Sequence, residues 1–343
     1  MDLEQAFATY LPRIEDELHA CLVDTSGLDP AFFGMLYYHM GWTDDQFQPA
    51  QAMSGKRLRP LFTLLTCQAA GGEPERALPA AAAVELLHNF SLIHDDIQDN
   101  SPTRRGRPTV WSIWGVAQAI NAGDALFTLA HLALHRLAAV GLPAARLVAI
   151  WRAFDEACLA LCRGQHLDLA FETQLNVDSA AYLRMIQGKT AALLGCAGQL
   201  GALVASDSPA LAQRYRRLGE GLGLAFQIQD DILGIWGQPE VTGKPVGDDI
   251  RSRKKTLPIV YALSQPGPAG DQLRNLFAQA QLTEAEVAQA IALLEETGAR
   301  TYAEQLADER LQSALAELKS ARPEPAIAET LRQFAYSLVQ RAR

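Results

Sequence analysis

Asp95, Asp96 and Asp99 close an otherwise apolar run, Leu92-Ile93-His94-Asp95-Asp96-Ile97-Gln98-Asp99, and Arg104 and Arg105 follow at once in Pro102-Thr103-Arg104-Arg105-Gly106. A second acidic pair, in Gln227-Ile228-Gln229-Asp230-Asp231, stands before Gly243-Lys244-Pro245. On a helix Asp95 and Asp99 share a face with about 6 Å of rise between them, and Asp96 lies ~100° round. Carboxylates about 5 Å apart repel by roughly 3 kcal/mol at an effective dielectric near 20. Mg²⁺ prefers carboxylate, water and phosphate oxygens, so ions set between such acids and a diphosphate turn that repulsion into attraction. A solvated acidic helix end accounts for the first cluster alone. It does not account for a second acid cluster, nor for the cations beside both.

The cations complete the pattern. Gly55-Lys56-Arg57-Leu58-Arg59-Pro60 places three of them in four positions at the start of a helix, where backbone N–H groups and guanidinium forks suit a diphosphate. Arg104 and Arg105 sit in a tight turn after the first acids. Lys189 and Thr190, in Gly188-Lys189-Thr190, and Lys244 stand in apolar or Gly-rich settings. Each lysine taken singly reads as ordinary surface charge. Together they point to two anionic ligands, one met through metal and one met directly by cations.

These groups need helices to hold them. Ala, Leu, Glu, Gln and Arg dominate the 343 residues, and these are good helix formers. Apolar residues recur every three or four positions, with almost no strand-like alternation. The first acid cluster ends a helix predicted from about Leu78 to Asp99, stopped by Pro102. The second ends a helix from about Pro209 to Trp236, opened by Asp207-Ser208-Pro209. Gly71-Gly72 closes another helix, and Gln265-Pro266-Gly267-Pro268 is a loop. The stretch 237–255 reads as a functional loop, and 257–343 as amphipathic helices. No linker divides the chain, so a single all-helical domain over residues 1–343 is expected.

Composition excludes other classes. With 49% hydrophobic and 20% charged residues the chain is globular. A net charge of −9 argues against nucleic-acid binding. The five cysteines are scattered without metal spacing; Cys158 and Cys162 read as reduced core residues in a cytoplasmic protein. The acidic start, Met1-Asp2-Leu3-Glu4-Gln5, lacks the pattern of a secretory signal. Residues 191–205, the longest apolar stretch, are too short for a transmembrane segment and read as a tightly packed internal helix with small residues at its contacts.

The chain resembles the trans-isoprenyl diphosphate synthases, or polyprenyl synthetases, of the prokaryotic geranylgeranyl and farnesyl type. The matching segments are Gly55-Lys56-Arg57-Leu58-Arg59-Pro60, His88-Asn89-Phe90-Ser91-Leu92-Ile93-His94-Asp95-Asp96-Ile97-Gln98-Asp99 and Arg104-Arg105-Gly106. Gly188-Lys189-Thr190, Phe226-Gln227 with Asp230-Asp231, Gly243-Lys244-Pro245 and Lys254-Lys255-Thr256-Leu257-Pro258 follow in order. The resemblance implies an isoprenoid-synthase-like helical bundle around a central apolar cavity, a homodimer, and head-to-tail condensation of isopentenyl diphosphate with an allylic diphosphate. It implies three Mg²⁺ ions: Asp95 and Asp99 hold ions on one side of the allylic diphosphate with Asp96 in support, and Asp230 holds one on the other. Arg104, Lys189 and Lys244 contact the same diphosphate with Lys254 nearby. Lys56, Arg59, His88 and Arg105 hold isopentenyl diphosphate. Thr190 and Gln227 flank the reacting carbon, and Phe90 and Phe226 can face the cavity.

One departure is plain. The second cluster of the family is often Asp-Asp-x-x-Asp, whereas here Asp230-Asp231-Ile232-Leu233-Gly234 ends in glycine, with Asp248 and Asp249 beyond. Product length in the family is set just before the first acid cluster. Ser91, small and about 40° from Asp95 round the helix, leaves the path open; Phe90, about 140° away, narrows it from the side. The expected product is geranylgeranyl diphosphate, with farnesyl diphosphate next. A class I terpene cyclase needs no isopentenyl diphosphate site, so Lys56, Arg59 and Arg105 count against it. A non-catalytic synthase subunit is expected to lose an acid cluster, and this chain keeps the leading aspartates of both.

Overall fold

The computed structural model describes residues 1–23, 27, 29–50, 52, 55–174, 177–243, 245–279 and 281–339. The helices in chain order begin with α1 (Leu3–Cys21), α2 (Pro30–Met40), α3 (Leu58–Ala69), α4 (Leu78–Gln98), α5 (Val110–Trp114), α6 (Val116–His135) and α7 (Ala144–Thr173). They continue with α8 (Ser179–Ile186), α9 (Ala192–Ala205), α10 (Pro209–Trp236), α11 (Pro239–Thr242), α12 (Asp248–Arg251) and α13 (Leu257–Ser264). Last come α14 (Pro268–Ala278), α15 (Glu284–Glu296), α16 (Ala299–Ala321) and α17 (Pro325–Val339). Among the described residues the only strands are β1 (Thr103–Arg104) and β2 (Arg107–Pro108), an antiparallel pair. The expected all-α class holds. The stretch 237–255 is not loop throughout, since it contains the short helices α11 and α12.

Contacts group the chain into two compact units. The first comprises Met1–Asp155, Cys196–Tyr215 and Pro323–Leu331. Its centre is α4, which packs against α1, α3 and α6. The run from Pro79 to Leu87 is buried on every side, as expected of a helix without a polar face. The end of α9 fits by its small residues. A Cβ on Gly198 would lie 2.4 Å from the Tyr215 carbonyl oxygen, and one on Gly201 2.2 Å from that of Thr63. The apolar stretch read as an internal helix is therefore one. Among the described residues no helix is long and apolar enough to cross a membrane.

The second unit comprises Glu156–Gly195, Arg216–Arg322 and Arg332–Arg343. Here α13 packs against α8, α14 and α16. One apolar cluster joins Tyr182, Ile186, Leu224, Ile228, Leu257 and Leu306. Another joins Ile235, Ile250, Ile259, Leu273 and Leu294.

Candidate active site

In the first unit, α4 delivers its acids at its carbonyl end. The Asp99 amide donates to the Asp95 carbonyl at 2.8 Å, and Asn100 turns the chain away at φ 50°. The partial negative charge of a helix C-terminus favours a cation there. Asp95 is half-buried and Asp99 exposed. Asp96 points inward at 2% exposure. Both its oxygens accept from Arg104 Nε, at 2.9 and 3.0 Å, and Arg104 Nη2 lies 2.8 Å from Oδ1. Burial holds the Asp96 carboxyl above the ordinary carboxylate range, with Arg104 pulling the other way. Asp96, read as supporting Asp95 and Asp99, thus turns to Arg104 and not to solvent.

Arg104 and Arg105 are set by the hairpin. Arg104 pairs with Arg107 across a two-residue turn in which Arg105 (φ 53°) and Gly106 (φ 75°) are both left-handed, the geometry that matches strand twist. Arg105 lies beside the segment before α3: a Cβ on Gly55 would be 2.9 Å from its guanidinium. Burial pushes the His88 imidazole well below its usual range, and Arg59, Arg105, Arg104 and His39 add to the shift. His88 is thus a neutral ring in a positive field. The structure gathers Arg59, Arg105 and Arg104 about the His88 ring in one electropositive group, and Lys56, one residue after Gly55, is exposed.

Arg57 departs from the reading of three cations aimed at one anion. Its guanidinium is buried against Glu15 (2.7 Å) and Glu85 (2.8 Å), so its charge is already matched inside the protein.

His39 supplies a pH signature. Burial, then Arg104, Arg105 and Arg57, push its imidazole down to about 3. Freed on unfolding, the ring titrates near ~6.5. Between those values the unfolded chain binds the extra proton, so stability falls as pH drops through this window. His39→Gln is expected to flatten the acid side of a urea-midpoint series between about pH 6.5 and 4. An unaltered slope would contradict the burial.

In the second unit, Gly188-Lys189-Thr190 lies in a single π turn, Gln187–Ala191, between α8 and α9, a device common at functional sites. Glycines make room for it. A Cβ on Gly164 of α7 would lie 2.1 Å from the Lys189 nitrogen, and one on Gly223 of α10 2.6 Å from Ala191 Cα. Lys189 Nζ pairs with Asp168, one turn beyond Gly164. Thr190 Oγ1 donates to Gln227 Oε1 at 2.9 Å, and Gln227 Nε2 donates to Asp231 Oδ1 at 3.2 Å. The two residues read as flanking one carbon are therefore joined.

The second acid pair divides its labour. Asp230 is exposed, while Asp231 is 1% exposed and accepts from the Tyr182 hydroxyl and, at 3.1 Å, from the Leu257 amide. Burial pushes the Asp231 carboxyl up to about 7. Burial works against the Lys254 ammonium, but Asp249, Asp231, Asp230 and Asp168 outweigh it and hold its pKa above the usual value. Lys244 lies outside the described residues.

Asp168, Tyr182 and Asp249 were not singled out as site residues in the sequence. The first two are single polar residues on amphipathic helices, a pattern shared with any solvated face. Asp249 had a signal, the glycine at 234. A Cβ on Gly234 would lie 2.0 Å from Asp249 Oδ2, so the buried Asp249 carboxylate fills the space one turn below Asp230. Gly234→Asp, which restores the commoner acid, is therefore expected to lower kcat by about tenfold or more, since two carboxylates cannot share that space without repulsion. Equal or higher activity in steady-state assays would contradict this.

In each unit taken by itself, the donors are of the kind a hard divalent ion prefers. The acids at the solvent-reaching sides of both clusters, Asp95, Asp99 and Asp230, offer carboxylate oxygens, while Asp96 and Asp231 face inward.

The sequence pattern of the polyprenyl synthetase family matches residues 41–294. The chain belongs to this family. Polyprenyl synthetases are Mg²⁺-dependent prenyltransferases. A geranylgeranyl diphosphate synthase from Mycobacterium tuberculosis is 46% identical over 292 residues, 85% of this chain and 82% of that one. The crystal structure of a polyprenyl synthetase from Streptomyces coelicolor A3(2) matches with a TM-score of 0.89 and 36% identity over 98% of both chains. The geranylgeranyl pyrophosphate synthase from Corynebacterium glutamicum, crystallised with isoprenyl diphosphate and magnesium, matches at 0.81 and 29% identity over 99% of this synthetase and 100% of that chain.

Proposed function

We propose that this polyprenyl synthetase joins isopentenyl diphosphate head-to-tail to allylic diphosphates and releases geranylgeranyl diphosphate as its main product. The observation that carries the reading is the electropositive group of Arg59, His88 and Arg105, with exposed Lys56 in the segment that leads to Arg59, in the same unit as the Asp95 and Asp99 helix end. A cyclase, acting on one diphosphate, has no use for a second anion site.

Asp95 and Asp99 would hold Mg²⁺ ions for the allylic diphosphate and Asp230 would hold another, three ions in all by family resemblance. Bound magnesium neutralises the diphosphate and stabilises charge on the leaving oxygen. Arg104 in the first unit and Lys189 and Lys254 in the second would supply positive charge to a diphosphate, a role the resemblance gives to Lys244 as well. Asp96 keeps Arg104 in place, and Asp168 does so for Lys189. Lys56, Arg59, His88 and Arg105 orient isopentenyl diphosphate so that its double bond attacks the allylic carbon, a gain from proximity. Thr190 and Gln227, tied by their hydrogen bond, present oxygen to the carbon that becomes cationic. The reaction requires that water be kept out, because it would quench the cation. The proton lost in closing the new double bond passes to released diphosphate.

Ser91 is 7% exposed, and its hydroxyl donates to the His88 carbonyl at 2.8 Å. The Phe90 ring packs against His94 (4.7 Å) and Phe127 (5.1 Å). An aromatic row thus accounts for Phe90 and supports Ser91 as the position that leaves room for a long product. Ser91→Phe is expected to shift the main product from geranylgeranyl to farnesyl diphosphate. An unchanged product distribution would remove this position from chain-length control.

The remaining readings are a single catalytic domain over residues 1–343, a homodimer and a cytoplasmic location. A match over 98% of one solved chain supports the first, family resemblance the second, and five free cysteines the third, of which Cys158 is buried as read but Cys162, read as core, is exposed. Incubation with Mg²⁺, isopentenyl diphosphate and each allylic primer, followed by product analysis, tests the function. The expected result is a twenty-carbon diphosphate. A cyclic hydrocarbon formed without isopentenyl diphosphate would overturn it.

A further inference from the structure

Arg57 is the one cation of the Gly55–Pro60 segment that the proposed mechanism leaves unused. Its backbone is left-handed (φ 49°, ψ 37°) although it carries a side chain. Such a conformation is strained and persists only where its surroundings fix it. Those surroundings are unusually complete. Nε donates to Glu15 Oε1 of α1 at 2.7 Å, and Nη1 to Glu85 Oε1 of α4 at 2.8 Å; Nη2 reaches Glu15 Oε2 and the Met40 carbonyl, each at 3.5 Å. The guanidinium side chain is 1% exposed, and that of Glu85 4%.

The anchor also touches the turn that carries His88. Asn89 Nδ2 donates to Glu85 Oε1 at 3.2 Å and to the Glu85 carbonyl at 2.8 Å. The Arg57 carbonyl accepts the Leu61 amide at 3.1 Å and so starts α3. Thus Arg57 holds the point where the chain turns from exposed Lys56 into the helix that carries Arg59. Through Glu85 it ties that point to the helix turn of His88 and Asn89.

We propose that Arg57 is a positioning residue for the isopentenyl diphosphate site: its buried grip on Glu15 and Glu85 fixes a strained backbone that aims Lys56 and Arg59, without touching the substrate itself. This rests on the function proposed above. Lysine cannot replace a guanidinium that bridges carboxylates on two helices. A buried ion pair, by contrast, is often replaceable by apolar residues of similar volume without loss of stability.

The test uses Arg57→Lys and the double variant Arg57→Met with Glu85→Leu, in the full chain. Thermal midpoints are measured together with separate KM values for isopentenyl diphosphate and for the allylic primer. Both variants are expected to raise KM for isopentenyl diphosphate about tenfold or more while changing the allylic KM less than twofold. In the double variant this persists even though its thermal midpoint returns close to that of the unaltered chain. The proposal is overturned if the double variant regains the original isopentenyl diphosphate KM, or if both KM values rise together. If the unaltered chain consumes no isopentenyl diphosphate, the functional reading itself fails, a result separate from either.

Discussion

Asp95→Asn and Asp230→Asn are each expected to lower kcat by about 10²–10³-fold while leaving the fold intact. Each exchange removes a negative charge from a carboxylate that reaches solvent and alters no apolar contact. The thermal midpoint should therefore move little, as for most surface substitutions. Activity should move greatly, because the acid's value lies in holding a divalent cation where negative charge grows on the departing oxygen. Losing one such electrostatic element costs about 3–4 kcal/mol in the transition state, near 10²–10³-fold. Steady-state kinetics at saturating Mg²⁺ provide the measurement. Activity within tenfold of the original in either variant would contradict the role assigned to that acid. Asp231→Asn differs in kind. Asp231 accepts the Tyr182 hydroxyl and the Leu257 amide in a buried setting, so its loss should appear in stability as well as in rate.

Gly164→Ala is expected to cost roughly 3 kcal/mol of stability, the upper range for overpacking, and to lower kcat about 100-fold. The new methyl carbon would lie 2.1 Å from the backbone nitrogen of Lys189 and 2.6 Å from the Gly188 carbonyl carbon. Backbone offers no rotamer escape, so α7 and the π turn must separate. That displaces Lys189 and Thr190, and a shift of about 1 Å at groups that position a reacting substrate is enough for a loss of this size. Thermal unfolding and steady-state kinetics on the same preparation check both halves. Wild-type kcat with wild-type stability would show that this approach does not hold the site.

The helices that bear the acids were legible because their ends carry local signals. Pro102 follows the end of α4, and Asp207-Ser208-Pro209 opens α10. The observed limits, Leu78–Gln98 and Pro209–Trp236, lie within a residue of those expected. The π turn was not legible, because one extra residue in a helical turn leaves the apolar pattern of α8 and α9 nearly intact. Its signature is instead the glycines facing it, Gly164 and Gly223, far away in sequence. The role of Arg57 was hidden for a related reason. Chemically it equals its neighbours, and only Glu15 and Glu85, 42 and 28 positions away, determine that it turns inward. Glycine at 234 was visible as a departure; that Asp249 fills the space could be seen only with α12 packed in place.

The most direct test of the central claim is calorimetric titration of the full chain with a non-hydrolysable farnesyl thiolodiphosphate, with Mg²⁺ and with chelator, repeated on Asp95→Asn and Asp230→Asn. Metal-held binding of the diphosphate predicts tight association with Mg²⁺ that chelator abolishes and that each substitution weakens at least tenfold. Equal affinity with and without the ion, unaffected by either substitution, would contradict it.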